Sequence, residues 1–351
     1  MADKAKVTIE DVARAVGVSR QTVSRVINKG PNVKESVREK VEEAIARLGY
    51  IPNLSARRMG GGRSFLILAV NDRQRTLENW QAGRGNDWVD QMLYGGMTEC
   101  EKEGYHLVFE LIDTDPQLAP VQLSNSIASL RPDGIILTPP HSDNEELARM
   151  LTNRGIPCAR VGRSAGTDYV DVFMDENAAA AEAVRHLLRQ GHSKMAFLAG
   201  SPEYGSSQKR VEGFRKALQE AGLEVEAGVV AKANFQFDTA AELLLEMLDA
   251  PDRPTGIIAD NDEMAFAALH VADKLSLNVP DDLAIISFED TPGVRFSVPP
   301  LTAIRQPTSE MIARACACLI DISRGKDAVG SYELPFRLIE RATTGPRQPA
   351  L

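Results

Sequence analysis

The sequence predicts a small all-α headpiece of three helices followed by a much larger two-lobed α/β body. Three observations lead there. Charge is unevenly divided: residues 1–63 hold 13 Lys/Arg against 7 Asp/Glu, a net of +6. That leaves −15 for the remainder of a chain whose total is −9. Helical periodicity with caps recurs three times within the first 50 residues. From Phe65 onward, short apolar runs alternate with amphipathic stretches, the pattern of parallel sheets covered on both faces. At 351 residues, 43% hydrophobic and 25% charged, the chain is long enough for two or three domains and apolar enough to give each a core.

In the stretch "VTIEDVARAVGVSRQTVSRVIN", Thr8 followed three residues later by Asp11 is a capping box, and Ile9, Val12, Ala13 and Val16 recur at helical spacing. Gly17 interrupts the run where a tight turn needs a positive φ. Ser19 suits the N-cap of a second short helix whose apolar residues are Val23, Val26 and Ile27. A third helix is expected from about Val33, with Val37, Val41, Ala44, Ile45 and Leu48 inward and Gly49 closing it. Three helices around one small core, with a glycine turn between the first two, make a helix-turn-helix. Its second helix would meet DNA. Arg20, Gln21 and Arg25 lie on its polar side, where arginine pairs with guanine and glutamine with adenine. Thr8, Ser19, Thr22, Ser24 and Asn28 are short donors suited to phosphate oxygens.

In the body the apolar runs "FLILAV", "YHLVFELI", "GIILT", "PCARV", "KMAFLAG", "GIIAD" and "LAIISF" read as strands. Helical patterns such as "DWVDQMLYGGMTECEKEG" and "RVEGFRKALQEAG" lie between them. About 280 residues exceed what one such sheet buries around a single core, so two lobes are expected. Ligands bind such folds at the strand ends. Here those ends carry Asn71, Asp72, Thr138, Arg163, Asn261, Asp262, Glu289 and Asp290. Carboxylate, amide and guanidinium groups each satisfy adjacent hydroxyls, and an aromatic such as Phe235 or Trp88 covers the C–H face of a ring. A small polyhydroxylated ligand follows.

Other chemistries find little support. "GRSAG" (Gly162–Gly166) matches the nucleophile-elbow spacing, but the segment after it, "TDYVDVF", is extended rather than helical. Adjacent strand residues point to opposite faces, so Glu289 and Asp290 would not share an acid/base site. No phosphate-cradling glycine motif occurs, and the five histidines lack ligand spacing, so neither cofactor nor metal is expected. The four cysteines, Cys100, Cys158, Cys316 and Cys318, read as small buried hydrophobes. With a polar N-terminus and no run of 18 apolar residues, the expectation is a cytoplasmic protein without membrane contact.

The headpiece motif D-V-A-x-x-x-G-V-S-x-x-T-V-S-R-x-[IV]-N is matched throughout, and this stretch resembles the headpiece of the lactose/galactose repressor family of bacterial transcription regulators. "RVEGF", "IIADNDEMA", "LAIISFEDT" and "PPLTAIRQP" resemble later segments of the same family, so the likeness spans nearly the whole chain. It implies a helix-turn-helix headpiece joined by a hinge helix to a two-lobed periplasmic-binding-protein-like core. The expected layout is a headpiece over 1–50, hinge and linker over 51–63, a core over 64–345 and a tail over 346–351. Lobe one would take 64–173 plus 306–328, and lobe two 174–305 plus 329–345.

By the same resemblance Arg210, Asn261, Glu289 and Gln306 face a ligand and Phe235 stacks on it. Glu289 stands where aspartate is usual, Ser287 where glycine is usual, and the fourth strand ends in "VGR". The family further implies a homodimeric repressor on a pseudo-palindromic double-stranded operator, released by a small sugar or sugar derivative. A co-repressed, purine-type regulator is the alternative, and a sugar-processing enzyme a more distant one. The chain ends at Leu351 without a heptad pattern, which favours a dimer over a tetramer. In "PNLSARRMGGG" the matching family segment becomes a short helix in the minor groove. Asn53 would cap it, Ala56 permit close helix approach, Arg57 meet phosphates or the groove, and Met59 act as the apolar wedge.

Overall fold

The computed structural model describes residues 7–27, 30, 32–50, 63–84, 86–164, 168–223 and 229–345. The headpiece has three helices, α1 (Ile9–Val16), α2 (Arg20–Ile27) and α3 (Glu35–Leu48). The capping box forms as its residue types demand: the Thr8 N–H donates to Asp11 Oδ2 at 2.9 Å and the Asp11 N–H to Thr8 Oγ1 at 3.4 Å. Gly17 (φ 71°) and Gly49 (φ 64°) close α1 and α3 in the left-handed region. Ser19 Oγ accepts from the Thr22 N–H at 3.1 Å, so the second helix is capped as expected. Val12, Val23, Val26, Val41, Ala44 and Tyr50 form the small core. The third helix starts two residues later than the sequence predicts, after Lys34.

The body holds two six-stranded sheets. The first, in the order β11-β5-β4-β3-β1-β2, comprises β1 (Leu66–Asp72), β2 (His106–Ile112), β3 (Gly134–Leu137), β4 (Cys158–Val161), β5 (Val170–Phe173) and β11 (Gly330–Glu333). The second, β12-β10-β9-β8-β6-β7, comprises β6 (Met195–Ala199), β7 (Val230–Lys232), β8 (Gly256–Ala259), β9 (Ala284–Glu289), β10 (Thr302–Arg305) and β12 (Arg337–Ile339). β1 runs parallel to β3 with Val70 opposite Leu137, and β8 parallel to β9 with Ile258 opposite Ile286; β12 alone of the registered pairs is antiparallel, against β10. Central strands β1, β3, β6 and β8 are buried along their whole length, which explains their almost wholly apolar composition, interrupted by polar side chains only at Asn71 and Asp72.

The chain passes between the lobes three times, and the last passage differs from the sequence-based boundary. Gly330–Glu333 pairs in parallel with Val170–Phe173, so β11 extends the first sheet, whereas the sequence places residues 329–345 as a block in lobe two. Its residues G-S-Y-E alternate in exposure at a sheet edge and carry no apolar run to betray them. A helix at Arg73–Gln81 (α4) was also not among the helical patterns read from sequence; only Thr76 of it is buried.

Of the remaining helices, α5 (Asp87–Lys102) and α12 (Thr308–Ser323) cover the first sheet, and α8 (Glu176–Arg189) and α9 (Gly205–Glu220) the second. Glycines set two of these approaches. A Cβ on Gly95 would lie 2.0 Å from the Ser309 carbonyl oxygen, and one on Gly213 2.3 Å from that of Asn177. The four cysteines are free and buried. Among the described residues, no helix is long and apolar enough to cross a membrane.

Candidate functional site

The carboxyl ends of both sheets face a polar cleft open to solvent. On the second lobe its floor is Arg210, carried on α9 one turn before Gly213. Nε donates to Glu176 Oε2 at 2.7 Å, and Nη1 to Asp260 Oδ1 at 2.7 Å and to the Asp260 carbonyl at 3.0 Å. The guanidinium carbon lies 4.4 Å from the Phe288 ring centroid. Nη2 has no hydrogen-bond partner among the described residues. Burial opposes the guanidinium's charge, but Glu176 and Asp260 more than offset it and hold the side chain ionised. Asp260 Oδ2 also accepts from the Gly200 N–H at 2.9 Å and from the Ser207 hydroxyl. The floor is therefore a buried, hydrogen-bonded charge cluster with the two N–H donors of Nη2 left for a ligand.

Across the cavity, Asp72 ends β1. Its Oδ1 accepts from the Arg75 N–H at 3.1 Å, and its Oδ2 from the Tyr204 hydroxyl of the second lobe at 2.7 Å. Burial first, and then the Asp72 charge, push the Tyr204 phenol above its ordinary range, so it stays a donor. The Arg75 guanidinium lies 4.6 Å from the Phe235 ring centroid, and Tyr204 meets that ring edge-on at 5.4 Å. Phe235 occupies space that only a glycine opposite can provide: a Cβ on Gly200 would be 2.0 Å from its Cζ. Asn71 organises the rest of this wall. Its Oδ1 accepts from Trp88 Nε1 at 3.3 Å and Thr138 Oγ1 at 2.8 Å, while its Nδ2 donates to Thr76 at 2.8 Å.

Glu289 and Asp290 both have left-handed backbone, with φ of 101° and 61°. The two side chains part, though by this turn of the backbone after β9 rather than by strand alternation. Asp290 is clamped by Arg305 Nε at 2.7 Å and Arg341 Nη2 at 2.5 Å, while Glu289 lines the cavity together with Gln306. Burial and the neighbouring Asp262 carboxylate push Glu289 up to about 8, and burial raises Asp262 as well.

Of the ten sequence-predicted ligand residues, the structure brings Asp72, Trp88, Arg210, Phe235, Glu289 and Gln306 to this cavity. Asn261 and Asp262 line a second chamber beside it. Asn261 caps α11 (Asp262–Lys274), and its Nδ2 donates to the Phe235 carbonyl at 3.3 Å. Two expectations need correction. Thr138 is fully buried, donating to the Val70 carbonyl and to Asn71, so it supports Asn71 rather than facing a ligand. Arg163 is turned away, paired with Asp143 at 3.2 Å and Glu145 at 2.6 Å, and lines neither chamber. Sequence reasoning missed Arg75, Tyr204, Glu176 and Asp260. The first two lie outside the strand-end runs; Glu176 acts through Arg210, and Asp260, at the end of β8, both holds Arg210 and lines the cavity.

On the headpiece, α2 exposes Arg20, Gln21 and Arg25 while burying Val23 and Val26. Arg20 is paired with Glu10 at 3.2 Å, and both side chains are more than half exposed, so the pair is weak and readily exchanged for a phosphate or base. Ser19 Oγ and Thr22 Oγ1 are 2.9 Å apart, and the Thr8 hydroxyl donates to Asp11 at 2.7 Å. Ser24 is half-buried. Asn28, Asn53, Ala56, Arg57 and Met59 lie outside the described residues.

Comparison with known proteins agrees with both parts. Residues 8–53 match the family described as bacterial regulatory proteins, lacI family, and residues 184–344 match a periplasmic binding protein-like domain. Catabolite control protein A of Priestia megaterium is 33% identical over 96% of this chain and 99% of its own length. A crystal structure of the lac repressor dimer bound to operator and the anti-inducer ONPF aligns with a TM-score of 0.78 at 27% identity, covering 97% of this chain and 99% of that one. A complex of the transcriptional regulator CelR with cellobiose aligns with a TM-score of 0.71 at 28% identity, covering 96% and 99%. With a helix-turn-helix headpiece, two parallel-stranded lobes and a polar cleft between them, the chain belongs to the lacI family of bacterial transcription regulators.

Proposed function

We propose that the protein is a cytoplasmic, homodimeric transcription repressor that leaves its pseudo-palindromic operator when a small sugar or sugar derivative occupies the cleft. The observation that carries this reading is the Arg210 cluster. A buried arginine with free donors, an aromatic ring at Phe235, the Asp72 carboxylate and the protonated Glu289 carboxyl offer what vicinal hydroxyls and a C–H face require.

Two headpieces related by the dimer axis would each place α2 in a major groove. Arg20, Gln21 and Arg25 would read bases, and Thr8, Ser19, Thr22, Ser24 and Asn28 would hold phosphates. The segment 51–63 would enter the minor groove between them, with Asn53, Ala56 and Arg57 shaping the hinge and Met59 wedging a base step. Coupling follows population-shift logic: ligand favours one lobe geometry, and operator favours the hinge arrangement of the other.

The relatives support both the operator and the sugar, since the aligned structures hold operator DNA in one case and cellobiose in the other. The test is fluorescence anisotropy of the full chain on operator DNA obtained by in vitro selection, titrated with sugars and with purines. Release by a sugar is the expected result. Tightening by a purine would instead assign a co-repressed regulator, and product formation in a mass-spectrometric incubation would assign an enzyme.

A further inference from the structure

We infer that Arg75 competes with the ligand for the face of Phe235: its guanidinium covers that ring, and a ligand ring takes the position only by displacing it. This rests on the effector reading above and names the residue that sets the affinity of the cleft. Phe235 is 9% exposed, so it offers no open face for stacking. Its neighbours account for this. The Cζ end fills the space beside Gly200, Tyr204 meets the ring edge-on at 5.4 Å, and the Arg75 guanidinium carbon lies over it, 4.6 Å from the centroid.

Arg75 is the movable member of this group. Asn234 and Phe235 both have left-handed backbone, with φ of 54° and 60°, which for a bulky residue persists only where the surroundings fix it. Here the Phe235 carbonyl accepts from Asn261 Nδ2 at 3.3 Å. The Tyr204 hydroxyl is tied to Asp72 at 2.7 Å and the Gly200 N–H to Asp260 at 2.9 Å. Arg75, half-buried in the first turn of α4, is held by less. Its Nη1 donates to the Asn234 carbonyl at 3.4 Å, and among the described residues its guanidinium makes no ion pair. The long stem allows the head to swing into water while the ring stays where it is.

Charge decides against an Arg75 that stays in place and grips an anionic ligand. Arg210 is already matched by Glu176 and Asp260, and Asp72 stands across the cleft. A further anion would enter among these carboxylates. A neutral ligand meets no such penalty, and its C–H face replaces the guanidinium on the ring.

Isothermal titration calorimetry of the full chain, as a double-mutant cycle on Arg75→Ala and Phe235→Leu, tests this. The probes are glucose, galactose, ribose, cellobiose, glucuronate and adenine. Arg75→Ala should lower the Kd of the neutral sugars that bind by about three- to tenfold, the scale of one cation–π contact. In the Phe235→Leu background the same substitution should bring no gain. Weaker binding of every sugar by Arg75→Ala would make Arg75 a ligand contact and overturn the inference. So would a gain that persists undiminished in Phe235→Leu, or a preference for glucuronate over glucose that Arg75→Ala removes. Arginine labelling with carbon-13 reads the contact without added sugar. The ring current of Phe235 should shift the Arg75 Cδ protons upfield, and an unshifted signal would overturn the inference even if Phe235→Leu does not fold. Binding of adenine and of no sugar would overturn the sugar reading alone, since a gain on Arg75→Ala would then support the same competition with adenine.

Discussion

Arg210 and Asp260 meet at 2.7 Å beneath the cleft, and the Asp260 carboxylate that anchors the guanidinium also accepts the Gly200 N–H and the Ser207 hydroxyl. Arg210 thus serves the fold of the second lobe and the ligand at once. Deleting it would leave Asp260 and Glu176 buried without a counter-charge, an expense of about 3–5 kcal/mol. Alanine is therefore a poor probe at this position. Lysine keeps the charge but loses the planar fork, and so separates ligand recognition from folding.

Tyr204→Phe should loosen the closed cleft. It removes the hydroxyl that bridges the lobes to Asp72, a hydrogen bond to a charged group contributing about 1.5–3 kcal/mol. Because the open form is then favoured, a ligand that needs the closed form should bind about tenfold more weakly. Small-angle scattering of the ligand-free variant should show a larger radius of gyration than the wild type. Unchanged scattering and affinity would remove Tyr204 from the closure.

Glu289→Gln should change how stability depends on pH. The carboxyl titrates near its ordinary 4.5 in the unfolded chain and near 8 in the fold, where burial and Asp262 raise it. Between those values the folded state holds a proton that the unfolded state has lost, so stability falls as pH rises through the window. The glutamine variant lacks this titration. Its Tm should exceed that of the wild type above pH 8 and converge with it below pH 4.5. Parallel Tm curves over that range would show that Glu289 is ionised throughout.

Gly200→Ala should impair the ligand site more than the fold. Its Cβ would stand 2.0 Å from the Phe235 ring, which must leave its place against Arg75 and Tyr204. Overpacking of this kind typically costs about 1–3 kcal/mol. Calorimetric ligand affinity should fall by more than the loss in unfolding free energy accounts for. Matching losses would mean that the ring contributes packing alone.

Gln21→Ala should lower operator specificity and leave binding to random DNA nearly intact. Base contacts discriminate, each bidentate pair by about 1–3 kcal/mol, whereas phosphate contacts set general affinity and salt dependence. Anisotropy on both DNAs at one fixed salt concentration separates the two. An equal fall on each would make Gln21 a backbone contact.

How much of this was legible beforehand depended on whether the signal is local. Thr8 with Asp11, and the glycines at 17 and 49, act on residues three or four away, so caps and helix ends could be read directly. The apolar runs of β1, β3 and β8 announce burial on both faces in the same way. β11, only four residues long and half polar at a sheet edge, gives no such signal, and its allegiance to the first sheet is decided by register with Val170–Phe173.

The site divides on the same principle. Asp72, Arg210, Phe235, Glu289 and Gln306 were found through strand ends or motif matches. The pairings that give them meaning join residues as much as 160 apart, as with Arg75 and Phe235. Arg163 shows the converse. Its place at the end of β4 suits a ligand contact, but Asp143 and Glu145, brought in by the turn after β3, capture it first.

The central claim is that one chain couples a sugar in the Arg210 cleft to an operator under α2. The most direct measurement is operator binding by wild type and Arg210→Lys, each with and without the sugar that calorimetry selects. The wild type should bind the operator without ligand and release it when ligand saturates. Arg210→Lys should bind the operator equally well and fail to release. Release by the variant at the same ligand concentration, or a wild type whose operator affinity ignores the ligand, would contradict the account.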